Sequence, residues 1–296
     1  MKLSIALVIC FVSFLPSSYA GILRSISKIP VRVIYGIDDR RDLYEVNNSL
    51  IKKLSESVAV KIDNENLIQN TTGFDLVDHK LEQSYGSMCK SEKYLDQNNA
   101  GDCSGFLLDQ ETIVTAGHCI EKDSECSDHK WVFGFAVDSV EKKHFSFKNE
   151  DVYQCEKILA RRYTDEGMDF AVVKLTRPVI GRNFLKTRTE GKISEDSKLV
   201  VLGHPFGLPL KVTPNAIIRN NSLDEFFVIN SDTFRGNSGS PVIDLTTGIV
   251  EGIIVRGDSD FKSSETEPCY GANVNSEDGG RGEDIIRITN ILKELK

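Results

Sequence analysis

No two cysteines in this chain have the Cys-x-x-Cys spacing of a zinc knuckle or a redox motif, so thiolate metal centres and thioredoxin-type chemistry have no starting point. Positive charge is also short. Lys and Arg number 36 against 44 Asp and Glu, for a formal net charge of −8, which argues against a nucleic-acid partner because phosphate binding wants clustered cations. Beyond the first residues no stretch reaches the roughly 18 apolar positions a membrane helix needs. Internal repeats, low-complexity linkers and an appended peptide-binding domain are missing as well, and so is any pattern that calls for a cofactor or a metal.

What is present begins with an export signal. Lys2 is a minimal basic region, residues 3–15 are almost wholly apolar, and Ser18-Tyr19-Ala20 puts small residues at the cleavage positions. Residues 1–20 are therefore expected to be removed, leaving a protein that is secreted or periplasmic. Leu7-Val8-Ile9-Cys10 looks superficially like a lipoprotein site, but Ile9 is bulky where a small residue is needed. The basic stretch 21–32 reads as a leader or short prosegment. Loss of Cys10 leaves Cys89, Cys103, Cys119, Cys126, Cys155 and Cys269, an even set that favours disulfides in an exported protein.

The remaining roughly 250 residues suit one unit, 33–296, of the size all-β enzymes occupy as a single domain. Residues 49–54 fit one or two helical turns and 57–62 a first strand. Residues 64–99 are polar, mixed in charge and poor in periodicity, so they read as a long surface excursion. Short β-rich runs with turn residues between them then recur at 104–108, 112–116, 130–136, 157–161 and 169–175. A second set lies at 198–202, 216–218, 226–230, 240–243 and 249–255. Strands this short and this frequent fit sandwiches or barrels. Ile288, Ile291, Leu292 and Leu295 follow i, i+3, i+4, i+7 spacing, the pattern of a terminal amphipathic helix.

Arg235-Gly236-Asn237-Ser238-Gly239-Ser240-Pro241 has the form of a nucleophile turn, with a serine between small residues. A serine hydroxyl is a poor nucleophile at neutral pH, so it needs a base and a group to orient that base. Thr115-Ala116-Gly117-His118-Cys119 offers the histidine, and Asp169 heads the apolar run that follows Met168. His79, His129, His144 and His204 sit outside any motif and are expected at surfaces or turns, with His204 in Gly203-His204-Pro205 the one to watch.

In the order His118, Asp169, Ser238 the chain resembles the trypsin/chymotrypsin superfamily of serine endopeptidases; other serine hydrolases order these residues differently. The stretch Val33-Ile34-Tyr35-Gly36-Ile37-Asp38-Asp39-Arg40, together with Asn237 before the serine, is similar to the bacterial glutamyl-endopeptidase branch. The resemblance implies an all-β fold of two six-stranded antiparallel β-barrels with a C-terminal helix. It also implies a Cys103–Cys119 bridge beside the histidine, an oxyanion hole from the amides of Gly236 and Ser238, and protein or peptide substrates for a monomeric enzyme. The pairing of Cys89, Cys126, Cys155 and Cys269 stays open.

For the substrate pocket the resemblance points two ways. Asp232, six residues before Ser238, stands where trypsin-like enzymes carry the acid that reads Arg or Lys, and Gly257 where they keep the pocket wall open. Thr233 fits a glutamate-reading pocket, but Ile254 stands where such a pocket places a histidine. Arg256 would reverse the preference if it entered the pocket and neutralised Asp232. Cleavage after Arg or Lys is the expectation; a Glu-specific endopeptidase, an esterase, and an inactive binding protein on the same fold are the alternatives.

Overall fold

The computed structural model describes residues 33–295; the signal and leader assigned to 1–32 lie outside the described residues. Twelve strands form the framework. In the first half they are β1 (Val58–Asp63), β2 (Gly101–Leu107), β3 (Thr112–Thr115), β4 (His129–Phe133), β5 (Val152–Tyr163) and β6 (Asp169–Leu175). They close into an antiparallel barrel in the order β5-β6-β3-β2-β1-β4.

The second half supplies β7 (Leu199–Gly203), β8 (Lys211–Asn220), β9 (Phe226–Asn230), β10 (Pro241–Asp244), β11 (Ile249–Arg256) and β12 (Glu283–Arg287). Their order is β7-β10-β11-β12-β9-β8, and β8 pairs back onto β7 to complete a second six-stranded antiparallel barrel. Arg41–Asp42 adds a short edge strand to β8. Closure removes the exposed strand edges that would otherwise invite pairing with other chains.

Alternation along each strand divides the apolar residues between two cores. In β6, Ala171, Val173 and Leu175 fill the first barrel, while Phe170 and Val172 turn outward. There they meet Val200, Leu202, Ile253 and Ile286 of the second barrel. The terminal helix Ile288–Lys293 lays Ile288 and Ile291 on this same inter-barrel core. Burial of side chains of this size stabilises by about 1.5–3 kcal/mol each, so the contact between barrels is a principal part of the fold.

β12 is a strand that sequence periodicity does not reveal. Its Glu283, Asp284 and Arg287 interrupt any apolar alternation, yet all five of its residues are buried. The excursion 64–99 is also more structured than its composition suggests. Leu67–Gln69 and Gly73–Leu76 form a small sheet with Ser146–Lys148, and the segment beyond is tied down by a disulfide from Cys89 to Cys269. The other bridges are Cys103–Cys119 and Cys126–Cys155.

The Cys103–Cys119 bridge closes a loop of 16 residues around the turn that carries His118. Replacing both cysteines by alanine should lower the unfolding free energy by about 3 kcal/mol. Urea denaturation measures this directly, and an unshifted midpoint would mean that loop closure contributes nothing there.

Candidate active site

His118 sits in the short 3-10 turn Gly117–Cys119 that follows β3, and Asp169 is the first residue of β6. Since β3 and β6 are hydrogen-bonded neighbours, the turn after one strand and the start of the other meet at one end of the first barrel. The Asp169 carboxylate, only 2% exposed, holds the histidine twice. It accepts the His118 backbone N–H at 3.1 Å through Oδ1 and faces ring Nδ1 at 2.8 Å through Oδ2. An ionised carboxylate in that position puts the ring proton on Nδ1 and leaves Nε2 as an acceptor. Nε2 lies 2.7 Å from Ser238 Oγ, so the structure brings all three residues together across the junction of the barrels.

Ser238 is held in a tight turn between Gly236 (φ +93°) and Gly239 (φ +85°). Glycine is required at both. A Cβ on Gly236 would lie 2.4 Å from the His204 carbonyl oxygen, and one on Gly239 would lie 2.1 Å from that of Ser104. The Arg235 carbonyl accepts the Phe206 N–H at 2.5 Å, and the Asn237 carbonyl accepts the Ser240 N–H at 2.8 Å. In a trans peptide the N–H lies anti to the carbonyl. The amides of Gly236 and Ser238 therefore each point away from a carbonyl that is already engaged.

Ser104 is a site residue that the sequence reading missed. Fully buried, it gives its Oγ–H to the Gly236 carbonyl at 2.7 Å and accepts the His204 N–H at 2.9 Å. Its backbone N–H goes to the Ser238 carbonyl at 2.8 Å, and its own carbonyl accepts from Thr115 Oγ1 at 2.7 Å. The only sequence signal was its place in Cys103-Ser104-Gly105-Phe106.

The pocket residues fall out differently from the expectation. Asp232 turns toward the N-terminal segment, where its two oxygens accept the backbone N–H groups of Tyr35 at 2.8 Å and Asp39 at 2.9 Å. Burial pushes its carboxyl up to about 7, against the lowering effect of those two amides. The position assigned to a substrate-reading acid is thus used to anchor residues 35–39. Arg256 does not approach it, because its guanidinium donates to Asp284 at 2.8 Å. The Ile254 side chain belongs to the second barrel's interior with Phe227 and Val242, and Ile254 serves the site through its carbonyl, which accepts the Gly239 N–H at 2.7 Å. Thr233 donates its hydroxyl to Glu283 at 2.8 Å. The space beside Gly257 is filled by that same carboxylate, whose atoms would lie 2.1–2.2 Å from a Cβ there.

Among the other histidines, His79 and His144 are exposed, but His129 and His204 are buried. His204 stacks on Phe135 and donates Nδ1–H to the Leu208 carbonyl at 2.9 Å. The one group of three possible metal donors among the described residues is Cys103, His118 and Cys119. Both of its sulfurs are joined in the disulfide, so it offers no thiolate to an ion.

A sequence profile described as a trypsin-like peptidase domain matches residues 103–253, a span that contains His118, Asp169 and Ser238. The chain belongs to the trypsin-like peptidase family. Among solved structures it is similar to the VesB protease of Vibrio cholerae, at 12% identity over 88% of this chain and 66% of that one, with a TM-score of 0.51. It also matches the active form of the Rv3671c protease from M. tuberculosis at 17% identity over 93% and 92%, with a TM-score of 0.46. A serine endoprotease from Yersinia pestis matches at 15% identity over 84% and 65%, with a TM-score of 0.47.

Burial lowers the His204 ring to about 3 and the His129 ring to about 4, from an ordinary 6.5. The unfolded chain therefore binds these protons more readily. The stability that both rings contribute is fully present above about pH 6.5 and is lost as pH falls toward 3–4. His204→Gln, which does not titrate, should flatten the decline of the melting temperature between pH 6.5 and 3.5. Equal slopes for variant and wild type would rule His204 out as the acid-sensitive group.

Proposed function

We propose that this protein is an exported serine endopeptidase in which Ser238 is the nucleophile, His118 the general base and Asp169 the residue that orients it. The observation that carries this reading is the continuous hydrogen-bonded line Asp169 Oδ2, His118 Nδ1, His118 Nε2, Ser238 Oγ, with contacts of 2.8 and 2.7 Å. As Ser238 Oγ attacks a peptide carbonyl, its proton passes to His118 Nε2, and Asp169 stabilises the imidazolium that results. The oxyanion is received by the amides of Gly236 and Ser238. His118 then returns the proton to the leaving amine, and water enters by the same route to hydrolyse the acyl-enzyme. Three disulfides suit an oxidising compartment, in keeping with the N-terminal signal.

Peptide hydrolysis should fall by about 10⁴-fold or more in Ser238→Ala, with the fold intact by circular dichroism. His118→Ala should match it, and the double variant should lose little further, because such residues act as a unit. An active-site fluorophosphonate is the direct check. Labelling of wild type and Ser238→Ala alike would assign the nucleophile elsewhere, and no labelling of wild type would favour a binding protein on this fold.

Gly236→Ala forces a side chain against the His204 carbonyl and displaces an oxyanion donor. Its turnover number should drop by about 10²–10³-fold with a smaller change in KM. Steady-state kinetics on a peptide amide reads this out, and an unchanged turnover number would remove the Gly236 amide from the mechanism.

A further inference from the structure

Phe206, in the loop between β7 and β8, has a left-handed backbone at φ +55° and ψ +18°. That conformation costs a residue with a Cβ free energy and persists only where the surroundings over-determine it. Here they do. The ring is buried among Phe234, Phe261 and Tyr85, with centroids 4.6, 5.1 and 5.5 Å away. The N–H donates to the Arg235 carbonyl at 2.5 Å, and the carbonyl accepts the side-chain amide of Asn99 at 2.6 Å.

Asn99 closes the excursion 64–99, just before β2, and is itself held in place. A carbonyl oxygen only accepts, so it is Asn99 Nδ2 that faces Phe206. The other end of the amide, Oδ1, accepts the Ser84 hydroxyl at 2.5 Å, and the Asn99 backbone N–H goes to the His79 carbonyl at 2.8 Å. The adjoining Ala100 N–H donates to the Gly207 carbonyl at 2.9 Å, so the excursion and the loop meet along consecutive residues.

We infer that Asn99 is a positioning residue for the oxyanion donor Gly236, acting through Phe206 and the Arg235 carbonyl. The inference rests on the proposed reading of Ser238 and Gly236. Within the Arg235–Gly236 peptide the carbonyl and the Gly236 N–H are anti and turn as one plane. The Phe206 N–H holds that plane by its carbonyl end, and it is aimed there only while Phe206 keeps its left-handed backbone. Without the Asn99 amide the Phe206 carbonyl loses its partner, and the residue is drawn toward the ordinary backbone regions. Its N–H then leaves the Arg235 carbonyl, and the Gly236 amide loses its fixed direction. Ser104 does not take over this task, because its hydroxyl binds the next peptide through the Gly236 carbonyl, together with the His204 N–H.

Asn99 is half-buried, and Asn99→Leu keeps its size while removing the donor. On a peptide amide, with the mature full-length protein, the turnover number should fall about tenfold, less than for outright loss of an oxyanion donor, with KM nearly unchanged. The inhibition constant of a peptide aldehyde, which binds as a hemiacetal oxyanion, should weaken by the same factor, whereas the corresponding peptide alcohol should bind as before. Combined with Gly236→Ala, Asn99→Leu should cost little further, because both act on one amide. Circular dichroism shows which variants fold; if Asn99→Leu does not, Asn99→Ala takes its place in the same measurements.

Unchanged turnover in Asn99→Leu overturns the inference. So does a loss that adds in full to that of Gly236→Ala, or one that weakens aldehyde and alcohol alike, since each places the effect elsewhere. Failure of both Asn99 variants to fold overturns it too, by making Asn99 a residue of the fold rather than of the site. A wild type that hydrolyses no peptide, or a Gly236→Ala variant with full turnover, overturns instead the reading on which the inference rests.

Discussion

The site depends on one buried hydroxyl that joins the two barrels. Ser104 belongs to β2 of the first barrel, yet its side chain and amide hold the carbonyls of Gly236 and Ser238 in the second. His118 and Asp169 come from the first barrel and Ser238 from the loop before β10. Their distances are therefore only as fixed as the junction between the barrels. The apolar contact there supplies most of the adhesion, but it is non-directional. Hydrogen bonds from Ser104 add direction, and they also satisfy carbonyls that would be costly to bury alone.

Much of this was legible in the chain, and the parts that were not share a cause. Local patterns marked the strand at 169–175, the helix at the C-terminus and the three residues of the proposed triad, since each is signalled by its immediate neighbours. β12 escaped because its charges are satisfied by distant partners: Thr233 for Glu283, Arg256 for Asp284, and Asn221 with the Leu223 carbonyl for Arg287. Asp232 was misassigned for a related reason. Its position six residues before Ser238 fixed which loop it occupies, but the direction of its carboxylate is set by Tyr35 and Asp39, some 190 residues away in sequence. Ser104 was invisible as a functional residue because nothing near it in sequence distinguishes a hydroxyl that bridges two barrels from one that faces solvent.

The N-terminal segment is correspondingly a structural part of the second barrel. Arg40 is buried with its guanidinium 4.2 Å over the Phe234 ring and paired to Asp38, and Asp42 meets the fully buried Lys211 at 2.7 Å. Burial lowers the Lys211 ammonium to about 8. Buried charges of this kind strongly penalise the loss of either partner, which makes their register specific even where they add little net stability.

One covalent link has a different kind of consequence. The bridges Cys103–Cys119 and Cys126–Cys155 stay within the stretch that builds the first barrel, whereas Cys89–Cys269 spans a sequence separation of 180 and encloses every barrel strand from β2 to β11 and the loops between them, leaving only β1 and β12 of the twelve outside. A single backbone break in any of those loops leaves both ends attached through sulfur and through the closed barrels. For a protein that would share its surroundings with proteases, its own copies among them, a nick between residues 90 and 268 severs a peptide bond without releasing a fragment.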